Sequence, residues 1–308
     1  MIRAVLLLAS ATLLAGCAST PVEAHRLDGT PLARIEPSGE RRAHYENELA
    51  LARARWEAER REEDAIWVGR HLGYLGRYRE AIDWYTARLE DFPVSAKLLR
   101  HRGHRWISVR AFDRAIVDLE QAHDLVAGTP DEIEPDGAPN ELGIPRSTLQ
   151  TNIDYHLALA CFLQGDFARA ERAWSRANAI APNDDSLVSS LHWQVRCLRR
   201  LGREQEAREA VAPVRAEMDV IENHAYHRLL LLERGDLAPE ELLGRDADAV
   251  QDATTAYGVS LWLLAEGREE EAEALWHRIV AGEAWSAFGH IAAEAELARL
   301  ASSSSSDE

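Results

Sequence analysis

The stretches GRYREAIDWYTARLEDFP, residues 76–93, and GDFARAERAWSRANAIAP, residues 165–182, decide the fold. Each opens on a turn glycine (Gly76, Gly165) and places an aromatic two residues on (Tyr78, Phe167). A small alanine follows (Ala81, Ala170), then a second aromatic (Tyr85, Trp174), and each stretch closes on a proline (Pro93, Pro182). Apolar residues at three- and four-residue spacing describe one face of a helix. The glycine supplies a left-handed turn before that helix and the proline stops it. A fainter copy with Phe112, Ala115 and Leu119 stands between them, and Ala81 and Ala115 are 34 positions apart.

Period and pattern resemble the tetratricopeptide repeat (TPR), in which helices A and B pack as a hairpin and small residues permit their close approach. The resemblance implies an all-α solenoid. Degenerate copies follow at Gly202 with Ala207, at Gly235 with Leu237, and at Gly267 with Ala272 and Trp276, which makes about six hairpins, three of them well matched. Residues 40–64, with Tyr45, Leu49, Ala52 and Trp56 in helical register, predict an N-terminal helix. The solenoid then runs over residues 65–300 and ends in a capping helix at 285–300 with Phe288, Ile291, Ala295 and Leu297 on one side. The serine-rich 301–308 reads as a disordered tail.

The period breaks once: Ala115 and Ala170 are 55 positions apart, and the surplus lies in an insertion, residues 127–150, with four prolines and three glycines. Loops of this length inside a compact array are functional or mobile. The insertion carries Asp131, Glu132, Glu134 and Asp136.

At the start of the chain, Arg3, the apolar run Ala4–Leu14 and the small residues Ala15 and Gly16 read as an export signal over residues 1–16. The run falls short of the roughly 20 apolar residues a bilayer span needs. Leu14-Ala15-Gly16-Cys17 resembles the lipobox of bacterial lipoproteins, in which a peptidase cuts before the cysteine and its thiol carries a diacylglycerol. That resemblance implies Cys17 as the lipid attachment site, and Ala18 rather than Asp after it implies the outer membrane, facing the periplasm. Residues 17–39, with Pro21, Gly29, Pro31, Pro37 and Gly39, are expected to form a flexible tether.

A formal charge of −17 disfavours nucleic acid, because phosphate binding needs a basic face. In a TPR array the A helices line a concave groove, and counting back from each turn puts Arg70, Lys97, Arg100, His104, Ile107, Asn152, Tyr155, Leu159, Phe162, His192, Arg196 and Arg199 there. Two readings of the polar members stand. They form a groove for an acidic segment or a free C-terminus, or they pair with acids of neighbouring helices and of the insertion. In the second case the insertion folds over the groove as a lid or built-in occupant. Farther along, Ala225, Leu229, Leu232, Tyr257, Leu261 and Leu264 are too apolar to stay open to water. The C-terminal helix, tight curling of the array or an apolar partner helix must cover them.

His101 with His104 and His224 with His227 have two-ligand spacing, but neither pair is completed by a carboxylate or cysteine set, so no metal is expected. Cys161 and Cys197 fall on adjacent predicted helices and read as buried thiols, or as a bridge if their backbones come close. No phosphate loop, zinc-protease or nucleophile-elbow motif occurs. The expectation is a lipid-anchored, non-enzymatic scaffold without cofactors that binds a protein or peptide partner. The alternative is an auxiliary subunit that binds an envelope glycan or a small anionic ligand.

Overall fold

The computed structural model describes residues 20–136, 140–244 and 248–304. Cys17 and Ala18 lie outside the described residues. After two short strands, β1 (Val22–His25) and β2 (Pro31–Ala33), come α1 (Gly39–Glu59), α2 (Glu62–Tyr74), α3 (Tyr78–Asp91), α4 (Ala96–Ser108), α5 (Phe112–Val126) and α6 (Leu149–Gln164). Then follow α7 (Phe167–Ala179), α8 (Asp184–Arg200), α9 (Glu204–Val211), α10 (His224–Arg234), α11 (Ala249–Ala265), α12 (Glu269–Val280) and α13 (Phe288–Ser304). Sequential helices pack as antiparallel hairpins, α2 with α3, α4 with α5, α6 with α7, α8 with α9 and α11 with α12, so the fold is an all-α solenoid of the tetratricopeptide type.

Side-chain size sets the hairpin contact. Gly69 on α2 lies under the ring of Tyr85 on α3, where any Cβ would collide with it, and Gly103 on α4 lies under Leu119 on α5, with room for a Cβ only 2.7 Å from its Cγ. Gly69 and Gly103 are 34 positions apart and Ala158 follows 55 later, the same steps that separate Ala81, Ala115 and Ala170. These three hairpins therefore have a small residue on both helices, and the large rings of Tyr85 and Trp174 fill the space between, 1% and 0% exposed. The hairpin turns at Gly76, Gly165, Gly202, Gly235 and Gly267 all take positive φ. In the second hairpin Arg110 occupies that place, at φ 64°.

Several expected boundaries move. The helix expected over 40–64 ends at Glu59, where Arg60 turns left-handed (φ 53°), and Glu62 already begins α2. Among the described residues the fifth hairpin has no second helix: after α10 a single 3-10 turn forms at Pro239–Glu241, and the segment offers Leu242 alone as a fully buried side chain before Gly244 (φ 72°) reverses the chain. The capping helix starts at Phe288 and continues to Ser304, so the first part of the expected tail is helical. Residues 305–308 lie outside the described residues.

The flexible tether expected over 17–39 is corrected most. From Val22 to Ala33 the chain is an antiparallel hairpin, turned at Gly29 (φ 88°), with Ala24 and Leu32 buried against Trp285. Prolines and glycines in this segment shape a hairpin because its two apolar residues have a tertiary surface to cover. Glu23 accepts from Arg34 Nε at 2.7 Å and from the backbone N–H of Arg79 at 3.1 Å, which ties the hairpin to the first repeat. Arg26 donates to the carbonyl of Val280 at 2.6 Å, and the N–H of Leu27 donates to Glu294 at 2.7 Å, which ties it to the last. The array curls until its two ends share one clasp.

The C-terminal helix lies inside that curl. Ile291, Ala292 and Ala295 of α13 are buried with Leu229, Leu232, Tyr257 and Leu261 in the main core, and Tyr257 donates to Glu296 at 3.0 Å. The apolar set expected to need a cover is therefore covered by this chain's own last helix: Ala225 is buried as well and Leu264 packs against the core. Cys161 and Cys197 are free, buried thiols, and burial pushes both upward in pKa, Cys161 to about 11. No described helix is long and apolar enough to cross a membrane.

Candidate functional site

The concave face carries two arrangements, and the insertion separates them. Between α5 and α6 the chain leaves the array, and residues 131–136 return across α2, α4 and α6 as an extended segment. A backbone pairing holds it in place: the N–H of Glu134 donates to the carbonyl of Ser147 at 3.0 Å and that of Leu149 to Glu132 at 2.9 Å. The expected basic groove meets this segment directly. Lys97 Nζ is 2.9 Å from Glu132, Arg100 Nη2 is 3.0 Å from Glu134, Arg70 donates to the carbonyl of Pro135 at 2.6 Å, and Asn152 donates to Glu134 at 3.1 Å. Arg100 and Glu134 are both nearly excluded from solvent. Loss of one partner would leave a buried charge uncompensated, so the contact holds the insertion firmly.

Four of the expected groove residues thus converge, but on a segment of their own chain. The others go elsewhere. Ile107, Leu159 and Phe162 belong to the hydrophobic core, which corrects their assignment to the groove: the curl and α13 turn these positions inward. Arg196 pairs with Glu233, and Arg199 reaches the same carboxylate at 2.7 Å. His104 packs at a tilt against His156 (ring centroids 4.5 Å apart) and against Phe288 of α13 (5.3 Å). His192 is buried beside Tyr226 at 5.3 Å. Burial holds His104, His156 and His192 well below the ordinary histidine pKa, so all three are neutral at pH 7. Among the described residues no group of three or more His, Cys, Asp or Glu is placed to hold a metal.

Between the insertion and α13 the groove stays open as a cleft of about 290 Å³, floored by α6 and α8. Asn152, Tyr155 and His156 of α6, Ser186, Ser189 and Ser190 of α8, and Glu222, Tyr226 and Phe288 line it, with Ser147, Thr151 and Asn223 at its margin. Its floor is rigid. Trp193 donates to the Tyr155 hydroxyl at 3.0 Å, and that hydroxyl is 3.1 Å from the hydroxyl of Tyr226.

The loop that brings Glu222 to the cleft is folded around Asp185. This fully buried carboxylate accepts from the backbone N–H groups of Ile221, Glu222 and Asn223 and from Arg146 of the insertion at 2.8 Å. Burial opposes its ionisation, but those donors outweigh burial and hold its pKa below the usual carboxylate value. Of the cleft residues, counting along the A helices finds Asn152 and Tyr155. Asn152 stands 13 residues before Gly165, and the same count before Gly202 and Gly235 reaches Ser189 and Glu222, which the sequence reading passed over, while Ser147 and Phe288 come from the insertion and the C-terminal cap and have no repeat spacing to the others.

No family model matches the chain, and no curated protein matches it. Among solved structures it is similar to YrrB, described as a TPR protein with an unusual peptide-binding site, at 15% sequence identity, covering 79% of this chain and 95% of that one with a TM-score of 0.42.

Proposed function

We propose that this chain is a non-enzymatic scaffold whose concave face, on α2, α4 and α6, takes an extended acidic segment of a partner protein. The observation that carries the reading is the insertion itself: Asp131–Asp136 lies across that face as a peptide ligand would, with its carboxylates on Lys97 and Arg100 and its backbone on Arg70. A charged, extended segment held by convergent Arg and Lys side chains is a common mode of acidic-peptide recognition. In this reading the insertion is a resident occupant that a competing acidic segment displaces. Lipid on Cys17 and an outer-membrane location facing the periplasm complete the proposal and rest on the lipobox resemblance.

The test is capture of partners from solubilised envelopes by wild type, by Arg70→Glu with Lys97→Glu, and by Glu132→Gln with Glu134→Gln. The charge reversal should lose a co-purifying protein, while the second variant, whose occupant is weakened, should enrich it. If all three capture the same proteins in equal amounts, the concave face is not the partner site. Anchoring is checked separately: Cys17→Ala should move the protein from the membrane to the soluble fraction.

A further inference from the structure

The open cleft differs in chemistry from the occupied groove beside it. None of its lining residues is Lys or Arg. Its spare hydrogen-bonding capacity lies in serine hydroxyls, which both donate and accept, and in three groups that only accept. His156 is neutral and sits with Nδ1 2.6 Å from the carbonyl of Asn152; that nitrogen must be the donor, so Nε2 keeps its lone pair. Asn152 uses its amide N–H groups on Glu134 and Ser147, which leaves its oxygen. Among the described residues Glu222 forms no ion pair; one of its oxygens accepts from Asn140 at 2.8 Å, and the other has no partner among them. Around these acceptors stand the rings of Tyr155, Tyr226 and Phe288.

We propose that this cleft binds a protonated primary amine, with the ammonium on the carboxylate of Glu222 and against the aromatic walls. A carboxylate beside aromatic faces is the arrangement that attracts an organic cation. Burial is the largest cause of the raised pKa of Glu222, the hydrogen bond from Asn140 lowers it, and among the charges Asp185 and Asp136 raise it while Arg146 lowers it. The volume sits at the small end of ligand pockets, which run from about 300 to 1,000 Å³, and suits one amine-bearing group rather than a polymer. The amine has two sources, a free small molecule such as an amino sugar or the lysine side chain of a partner protein.

This site borders the acidic-segment groove and shares Asn152 with it, but its ligand chemistry differs and its test is separate. Calorimetric titrations of the wild-type chain would use glucosamine and Nα-acetyl-lysine methylamide, each against its N-acetylated neutral counterpart. At least one amine should bind, its neutral counterpart at least tenfold more weakly, and Glu222→Gln should reduce amine affinity at least tenfold with an unchanged melting temperature. Preference for glucosamine indicates a free amine and preference for the lysine derivative indicates a protein side chain. Phe288→Leu should weaken either by removing a wall. Affinity should also fall as the pH drops through the titration of Glu222, a dependence that Glu222→Gln removes. The proposal is overturned if neither amine binds, if the neutral compounds bind as well, or if Glu222→Gln leaves affinity and pH profile unaltered.

Discussion

Arg110→Gly sets two effects of one residue against each other. At φ 64° Arg110 occupies a turn position where the other hairpins have glycine. Replacing it should relieve about 1–2 kcal/mol of left-handed strain. The same side chain reaches across the curl: its guanidinium is 2.8 Å from Glu294 of α13 and 2.8 Å from the carbonyl of Trp285, with side-chain exposures of 3% and 4% for the ionic pair. Removing one member of a buried pair costs about 3–5 kcal/mol. The pair should win, for a net loss of about 1–4 kcal/mol, which corresponds to a melting temperature lower by roughly 2–7 °C in a chain of this size. Thermal unfolding of the soluble chain, followed by circular dichroism, gives the value. A double-mutant cycle with Glu294→Gln should show coupling of about 1 kcal/mol or more. Hydrogen exchange in α13 should accelerate. If Arg110→Gly is as stable as wild type or more so, the contact between Arg110 and α13 does not hold the curl closed, and the reasoning fails.

Gly69→Ala places a Cβ against the Tyr85 ring and should destabilise by about 1–3 kcal/mol in denaturant titration, whereas Gly128→Ala, with open space around it, should cost less and only through its positive φ. Burial lowers the pKa of His71 and His290 to about 4, and that of His101, His104, His156 and His192 well below 6.5. Because their folded pKa lies below the unfolded one, stability is full above pH 6.5 and declines as the pH falls toward about 4; melting temperatures across that window check this. Asp185→Asn should remove a further acid-sensitive contribution, present above the ordinary aspartate value, and release the loop before α10, read as faster hydrogen exchange over residues 212–223. Cys161 and Cys197 should react with a thiol reagent only on unfolding, since both are buried with raised pKa.

Local rules made most of the solenoid legible. Turn glycine, ring, alanine and proline at a fixed period act within one hairpin, so residues 76–93 and 165–182 announce it without the rest of the chain. The same period exposed the insertion, and its sign relative to Lys97 and Arg100 was readable. Sequence left two readings of that contrast in charge, and geometry placed the insertion on the cations. What sequence did not determine depends on rotations that accumulate from hairpin to hairpin. Only the closed curl brings β1 and β2 to Trp285, and Phe288 to His104 and His156. Residues separated by one helical turn or one repeat have a spacing to be read. Those that meet because a superhelix closes have none: the floor of the cleft, with Asn152, Tyr155, Ser186 and Ser189, is of the first kind, and its Phe288 wall is of the second.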